Sequence, residues 1–170
     1  MKKEEPMTTP TTNPTRLDNT PMPVQLKIAA AWSSLMFLYV YVDIYGFYKP
    51  GLIDDILNGI VFEFDISAAL LTTFVALLAI PAMMVMLSTA LPARANRVTN
   101  LVLATLYIPV TVFNAVGETW EWAAFYGLSI GLELFLLAAI LRWAWTWPRV
   151  ATLPAGAAIT DRHDGRRQPA

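Results

Sequence analysis

The sequence predicts an all-α integral membrane protein, a four-helix bundle with both termini cytoplasmic and a short interfacial helix between spans 1 and 2. Three observations carry this reading. Of the 170 residues, 56% are hydrophobic and only 15% charged, whereas a soluble domain carries about 25% charged residues. The apolar residues gather in four blocks, each near the roughly 20 residues a helix needs to cross a hydrocarbon core. The cations are also sorted along the chain, as the loops show below.

Residues 1–23 hold five prolines and six threonines without apolar periodicity, and read as a disordered cytoplasmic tail. The transmembrane domain follows over 24–147. Span 1 covers 26–46, with Lys27 able to snorkel at its start. Its end leads into the run "YVYVDIYGFYKPG" (residues 39–51), whose Pro-Gly breaks the helix beyond residue 46. In "LIDDILNGI", Leu52, Ile53, Ile56, Leu57 and Ile60 share one helical face and Asp54, Asp55 and Asn58 the other, as in a helix lying in the membrane interface. "FEFDI" alternates and is expected to be extended.

Span 2 covers 67–91, with Asp65 or Ser67 as its N-cap. Pro81 inside it should kink the helix or free a carbonyl. The short loop "PARANR" makes spans 2 and 3 antiparallel neighbours. Span 3 covers 98–117, with Pro109 near its middle, and a turn at "ETWEW" leads to span 4 over 122–145. Residues 148–170 read as a second disordered cytoplasmic tail.

Orientation follows from the loops. Lys2, Lys3, Arg16 and Lys27, then Arg94 and Arg97, then Arg142, Arg149, Arg162, Arg166 and Arg167 fall on one side, and Lys49 alone on the other. By the positive-inside rule this is expected to be a multi-pass protein of the cytoplasmic (inner) membrane, N-in and C-in. The opposite side is acidic, with Asp54, Asp55, Glu63, Asp65, Glu118 and Glu121.

Composition also excludes chemistry. There is no cysteine, so disulfides, thiolate nucleophiles and thiolate metal sites are ruled out. The one histidine, His163, lies in a polar tail, which leaves no intramembrane histidine for haem or metal. A net charge of −1 suggests no nucleic-acid partner. No catalytic, cofactor or metal residues are expected, and the chain reads as a non-enzyme whose partners are the lipid bilayer and a second copy or another membrane protein.

Two acids lie within the spans. Asp43 follows the start of span 1 by about 17 residues, or roughly 25 Å, which places it near the outer boundary. It reads as a helix-end aspartate in contact with water, or as an outer-side ligand or proton site, with Tyr39 one turn before it on the same face. Glu133, in "YGLSIGLELFLLAAI", lies about 11 residues, or roughly 16 Å, from the outer end of span 4, close to mid-bilayer. A charge there costs about 2.5–3.5 kcal/mol, and such residues face the bundle interior. Glu133 is therefore expected to point inward and to bond with Tyr39, Ser34, Tyr107 or Thr111, as a structural staple or as a functional group. Glu133, Asp43, Tyr39, Tyr107 and Thr111 form the candidate intramembrane polar site. Arg97 and Asn100, with Asn96, form a candidate cytoplasmic anchor through capping and headgroup contact. Gly127 and Gly131 make a GxxxG pattern that permits close helix contact.

"FLYVYVDIYGFYKPG", "IPAMMVMLSTALPARANRVTNLV" and the glutamate-bearing last span ending in "WAWTWP" resemble a bacterial family of small four-span membrane proteins, a domain of unknown function. The resemblance covers about residues 26–148. It implies four spans and places Asp43, Pro81, Arg97, Asn100 and Glu133 in the family motif. It implies no activity. The overall plan is similar to that of DoxX-like four-span proteins, without a matching residue motif. Of the roles considered, a non-enzymatic assembly or accessory protein ranks first. A small oligomeric transporter or channel for protons or a compact cation, using Glu133 and Asp43, follows closely. A quinone-linked membrane enzyme ranks last.

Overall fold

A long apolar run can satisfy its backbone away from water by closing hydrogen bonds within itself, and this chain does so with helices. The structure, a computed structural model, describes residues 21–114, 116 and 118–148. The tails expected to be disordered therefore lie, apart from residues 21–23 and 148, outside the described residues. In chain order the elements are α1 (Val24–Gly46), α2 (Leu52–Leu57), strands β1 (Ile60–Val61) and β2 (Phe64–Asp65), α3 (Ala68–Ala90), α4 (Ala93–Phe113), a 3-10 turn (Trp120–Trp122) and α5 (Ala123–Trp145).

Three helical stretches are long and apolar enough to cross a membrane: α1, α3 and Trp120–Trp145. The fourth expected span, α4, has 21 residues but carries Arg94, Asn96, Arg97 and Asn100 near its start, and is not apolar enough overall to join them. Its start differs from expectation. Most of the supposed loop "PARANR" is helix, because Pro92 stands just before the first turn, where its missing N–H costs nothing, and its carbonyl accepts from the Asn96 N–H at 2.9 Å. Leu91 and Pro92 alone connect α3 to α4. At the start of α3, Ser67 is the cap, its hydroxyl accepting from the Leu70 N–H at 3.2 Å.

Side-chain pairs fix the helix directions. Trp32 meets Asn100 and Tyr39 meets Thr111, so α1 runs parallel to α4. Tyr107 meets Leu77 and Ser88 meets Asn100, so α3 runs antiparallel to α4. Arg97 meets Ala144, so α5 is antiparallel as well. The helices pack in the order α3, α1, α5, α4, with α4 touching α3 again. One end carries Lys27, Arg94, Arg97 and Arg142 and is called the basic end; the other carries the acids of the α1–α3 and α4–α5 connections and is called the acidic end.

Between the ends lies a layer of fully buried apolar side chains: Leu35 of α1, Met84 of α3, Ala104 of α4, and Leu137 and Ile140 of α5. The α1–α3 connection stays outside this core. Gly51, with φ 88°, makes the left-handed turn into α2 that a side chain would strain. α2 buries none of its residues, and Ile53 and Leu57 are exposed together with Asp54 and Asp55. "FEFDI" is extended only in part: Phe64 and Asp65 pair with Val61 and Ile60, but Phe62 and Glu63, expected to be extended, form the tight turn between the strands, with Phe62 at φ 56°.

Candidate functional site

A carboxyl group in the middle of an apolar helix must face the interior, and Glu133 does. It is 1% exposed and looks into the space between α1, α4 and α5. Across from it the Tyr39 hydroxyl of α1 and the Thr111 hydroxyl of α4 are 3.2 Å apart, and either can donate. Thr111 lies within reach of the Glu133 carboxyl, but no hydrogen bond of regular geometry joins them. The Glu133 Oε2 atom has no hydrogen-bond partner among the described residues. The bonded staple expected from the sequence is thus not made among the described residues: the hydroxyls gather beside Glu133, yet they bond to each other.

The remaining expected partners are placed elsewhere. Ser34 faces outward and donates to the Ala30 carbonyl. Ser129, one turn from Glu133, donates to Phe125 and Tyr126 of its own helix. Asp43 stands one turn beyond Tyr39 towards the acidic end and is exposed. Gly127 and Gly131 are exposed, with nothing close to either, so the GxxxG pattern makes no tight helix contact within the chain.

Tyr107 has a different task from the one expected. Its hydroxyl donates to the backbone carbonyl of Leu77 in α3. Leu77 stands four residues before Pro81, so its carbonyl is the one that proline deprives of a helical N–H. The sequence indicated a freed carbonyl but not its partner. The Tyr107 ring also packs edge-to-face on Trp32, with centroids 6.1 Å apart.

The basic end corrects the anchor reading. Asn100 and Asn96 are fully buried and make no headgroup contact. Asn100 Oδ1 accepts from the Trp32 indole N–H at 2.7 Å and more weakly from Ser88 Oγ at 3.4 Å. Its Nδ2 donates to Asn96 Oδ1 at 2.6 Å and to the Asn96 carbonyl at 2.9 Å. Asn96 in turn donates to the Ser88 carbonyl at 2.5 Å near the end of α3. The pair therefore stitches α1, α3 and α4 together. Helix starts attract Asn for capping, and nothing local distinguishes a cap from an interior bond. Arg97, half-buried, keeps its surface position: Nε donates to the Ala144 carbonyl at 3.1 Å and the guanidinium lies 5.9 Å from the Trp145 ring centre.

A clamp at the acidic end went unforeseen. Lys49 Nζ donates to Glu118 at 2.5 Å and to the Tyr126 hydroxyl at 3.1 Å. It also lies 5.4 Å from the Trp122 ring and 5.0 Å from that of Tyr126. Burial alone would lower the Lys49 pKa, but the bonds to Glu118 and Tyr126 outweigh it and hold the ammonium above its ordinary value. The isolation of Lys49 among acids was the available signal. Among the described residues, no group of three or more His, Cys, Asp or Glu could hold a metal ion.

A model for a family of unknown function, DUF6326, matches residues 24–151. No curated protein and no solved structure matches the chain.

Proposed function

The chain belongs to the DUF6326 family, and since that membership carries no activity, we propose from its own residues that it is a small transporter of protons or a compact cation, with Glu133 as the site. The supporting observation is the unpartnered Oε2 atom of a carboxyl that is 1% exposed. A structural staple would use both oxygens, because a buried group left unbonded costs about 1–3 kcal/mol. A group kept in this condition is suited to taking up an ion. Asp43, exposed one turn beyond Tyr39, lies where it can attract cations towards the site.

The transporter reading requires α4 to span the membrane with the other three long helices. Its surface supports this. Beyond the first turn, the exposed residues of α4 are Val98, Val102, Thr105, Leu106, Pro109, Val112 and Phe113, while Asn96, Asn100 and Thr111 are buried. The one polar side chain among them, Thr105, donates to the Leu101 carbonyl at 2.8 Å. The helix is polar inward and apolar outward, as a lipid-embedded helix should be. With the positive-inside rule, both termini are cytoplasmic and the acidic end faces out. The layer from Leu35 to Ile140 separates Glu133 from the basic end, which favours a carrier over an open channel. Four spans are few for a solitary transporter, so an oligomer is expected, and no enzymatic step is assigned.

The test is ion flux into vesicles reconstituted with the full chain. A pH-dependent flux that Glu133→Gln abolishes is the expected result; no flux in the wild type, or equal flux in Glu133→Gln, refutes the reading. The assembly role keeps one observation in its favour. In residues 68–80 of α3, only Leu70 and Phe74 are even half-buried, a helix half with little packing inside its own chain. A stoichiometric protein partner in mild detergent would favour that role.

A further inference from the structure

We infer that the ligand of the Glu133 site is a proton, delivered from the acidic end through the Tyr39–Thr111 hydroxyl pair. This rests on the transporter reading and names its substrate and route.

The surroundings of Glu133 decide between a proton and a metal cation. From α1 the titratable groups near it are Tyr39 and Asp43; from α4 it meets the Thr111 hydroxyl, while Tyr107 lies near Tyr39 with its own hydroxyl turned to α3. Its own helix offers Ser129, whose hydroxyl is turned to backbone carbonyls. The α3 segment Ala68–Ala90 has no titratable residue. The only salt bridge among the described residues joins Lys49 to Glu118, so no side-chain cation neutralises Glu133. A hard cation shed of its water needs about six oxygen ligands. Glu133, Thr111 and Tyr39 supply fewer, and the Tyr107 hydroxyl is committed to Leu77. A proton needs a single oxygen lone pair, and Oε2 presents one without a partner.

The route follows from the same geometry. Tyr39 is 7% exposed and Thr111 is sealed. Their hydroxyls are 3.2 Å apart, and either serves as donor. A hydroxyl pair that can reverse its direction is a proton relay. Hydronium at the acidic end gives a proton to the Tyr39 oxygen as Tyr39 passes its own to Thr111 Oγ1. The Thr111 hydroxyl, within reach of the Glu133 carboxyl, rotates towards it and in the same concerted movement passes its own proton to the carboxylate. Each O–H bond broken is matched by one formed: water is left outside, a neutral carboxylic acid inside, and both hydroxyls are restored. Return of the proton to the acidic end retraces these steps, whereas passage to the basic end requires the apolar layer of Leu35, Met84, Ala104, Leu137 and Ile140 to part. Asp43 raises the proton concentration near Tyr39 without joining the chain of transfers.

The experiment follows the Glu133 carboxylic acid band by infrared spectroscopy in the full chain reconstituted in phosphatidylcholine–phosphatidylglycerol vesicles. Glu133→Gln identifies the band, and a pH jump gives its rate of proton uptake. Thr111→Val and Tyr39→Phe are each expected to slow uptake at least tenfold with the melting temperature retained, and Thr111→Ser to restore it. Wild-type uptake rates in folded Thr111→Val overturn the relay. A band displaced by sodium or lithium at constant pH overturns the proton as ligand, while the transporter reading survives. A band that follows pH as described, without flux in the wild type, sinks the transporter reading and leaves the relay standing. Should Tyr39→Phe fail to fold, the contrast between Thr111→Val and Thr111→Ser decides the relay alone.

Discussion

The contact between Tyr107 and the Leu77 carbonyl can be tested by a double-mutant cycle with Pro81. Proline at position 81 removes the N–H that would serve Leu77, and the Tyr107 hydroxyl replaces it. Tyr107→Phe keeps the ring and its edge-to-face packing on Trp32 but leaves the carbonyl bare. In soluble proteins an unsatisfied buried acceptor costs about 1–3 kcal/mol; interhelical hydrogen bonds in membranes average about 0.6 and reach about 1.7 kcal/mol. In a bilayer no water is at hand to replace the bond, so the upper membrane figure applies and we expect about 1.5 kcal/mol. Pro81→Ala restores an N–H four residues after Leu77. In that background Tyr107→Phe should cost about 0.5 kcal/mol, a coupling of about 1 kcal/mol. Denaturation in mixed micelles, followed by the fluorescence of the six tryptophans, measures all four corners. Additive costs, within about 0.3 kcal/mol, would refute the exchange of donors.

Asn100→Leu removes the acceptor of the Trp32 indole and the donor to Asn96, both buried; it should cost about 2–3 kcal/mol in the same unfolding assay. Lys49→Met breaks the clamp to Glu118 and Tyr126 and should cost about 1 kcal/mol. Because the Lys49 pKa is raised, the contribution is complete below the unfolded value of about 10.4 and disappears as pH rises through the folded one. The stability difference between wild type and Lys49→Met should therefore hold at neutral pH and vanish on strong alkalinisation, as a pH series of melting curves would show. Since the chain lacks cysteine, Ile53→Cys and Arg94→Cys each introduce a single thiol. An impermeant maleimide should label the first from outside intact cells and the second only after permeabilisation.

Residues whose position is costly were the legible ones. A glutamate near mid-bilayer has one affordable direction, so the inward placement of Glu133 follows from its depth. Pro81 announced a freed carbonyl because proline has no N–H. The partners in these contacts were harder to see. Trp32 and Asn100 stand 68 residues apart, Tyr107 and Leu77 30 apart, and Lys49 and Glu118 69 apart. Each pairing depends on how two helices are rotated about their axes, which apolar blocks do not encode when nearly every position is apolar. Asn100 shows the consequence. Near a helix start an asparagine is equally suited to a cap, a headgroup or the interior, and only the neighbouring Trp32 makes it an interior bond.

The apolar layer also indicates which helix has to move if a proton on Glu133 is to cross. Leu35, Met84, Ala104, Leu137 and Ile140 are all fully buried, and parting them means displacing at least one helix. α1 is held to α4 by two side-chain hydrogen bonds, and α4 to α5 by Arg97. α3 is bonded firmly at its basic end, through Ser88, but beyond Pro81 its one side-chain tether among the described residues is Tyr107. The acidic-end half of α3 is also the least packed stretch of any long helix. Pro81 stands between the fixed half and the loose half, and is taken as the point about which α3 swings. Tyr107→Phe should then have opposite effects on two readouts: lower stability, and faster proton passage through reconstituted vesicles. A fall in both would mean that Tyr107 holds the Glu133 site together and that α3 is not the moving element.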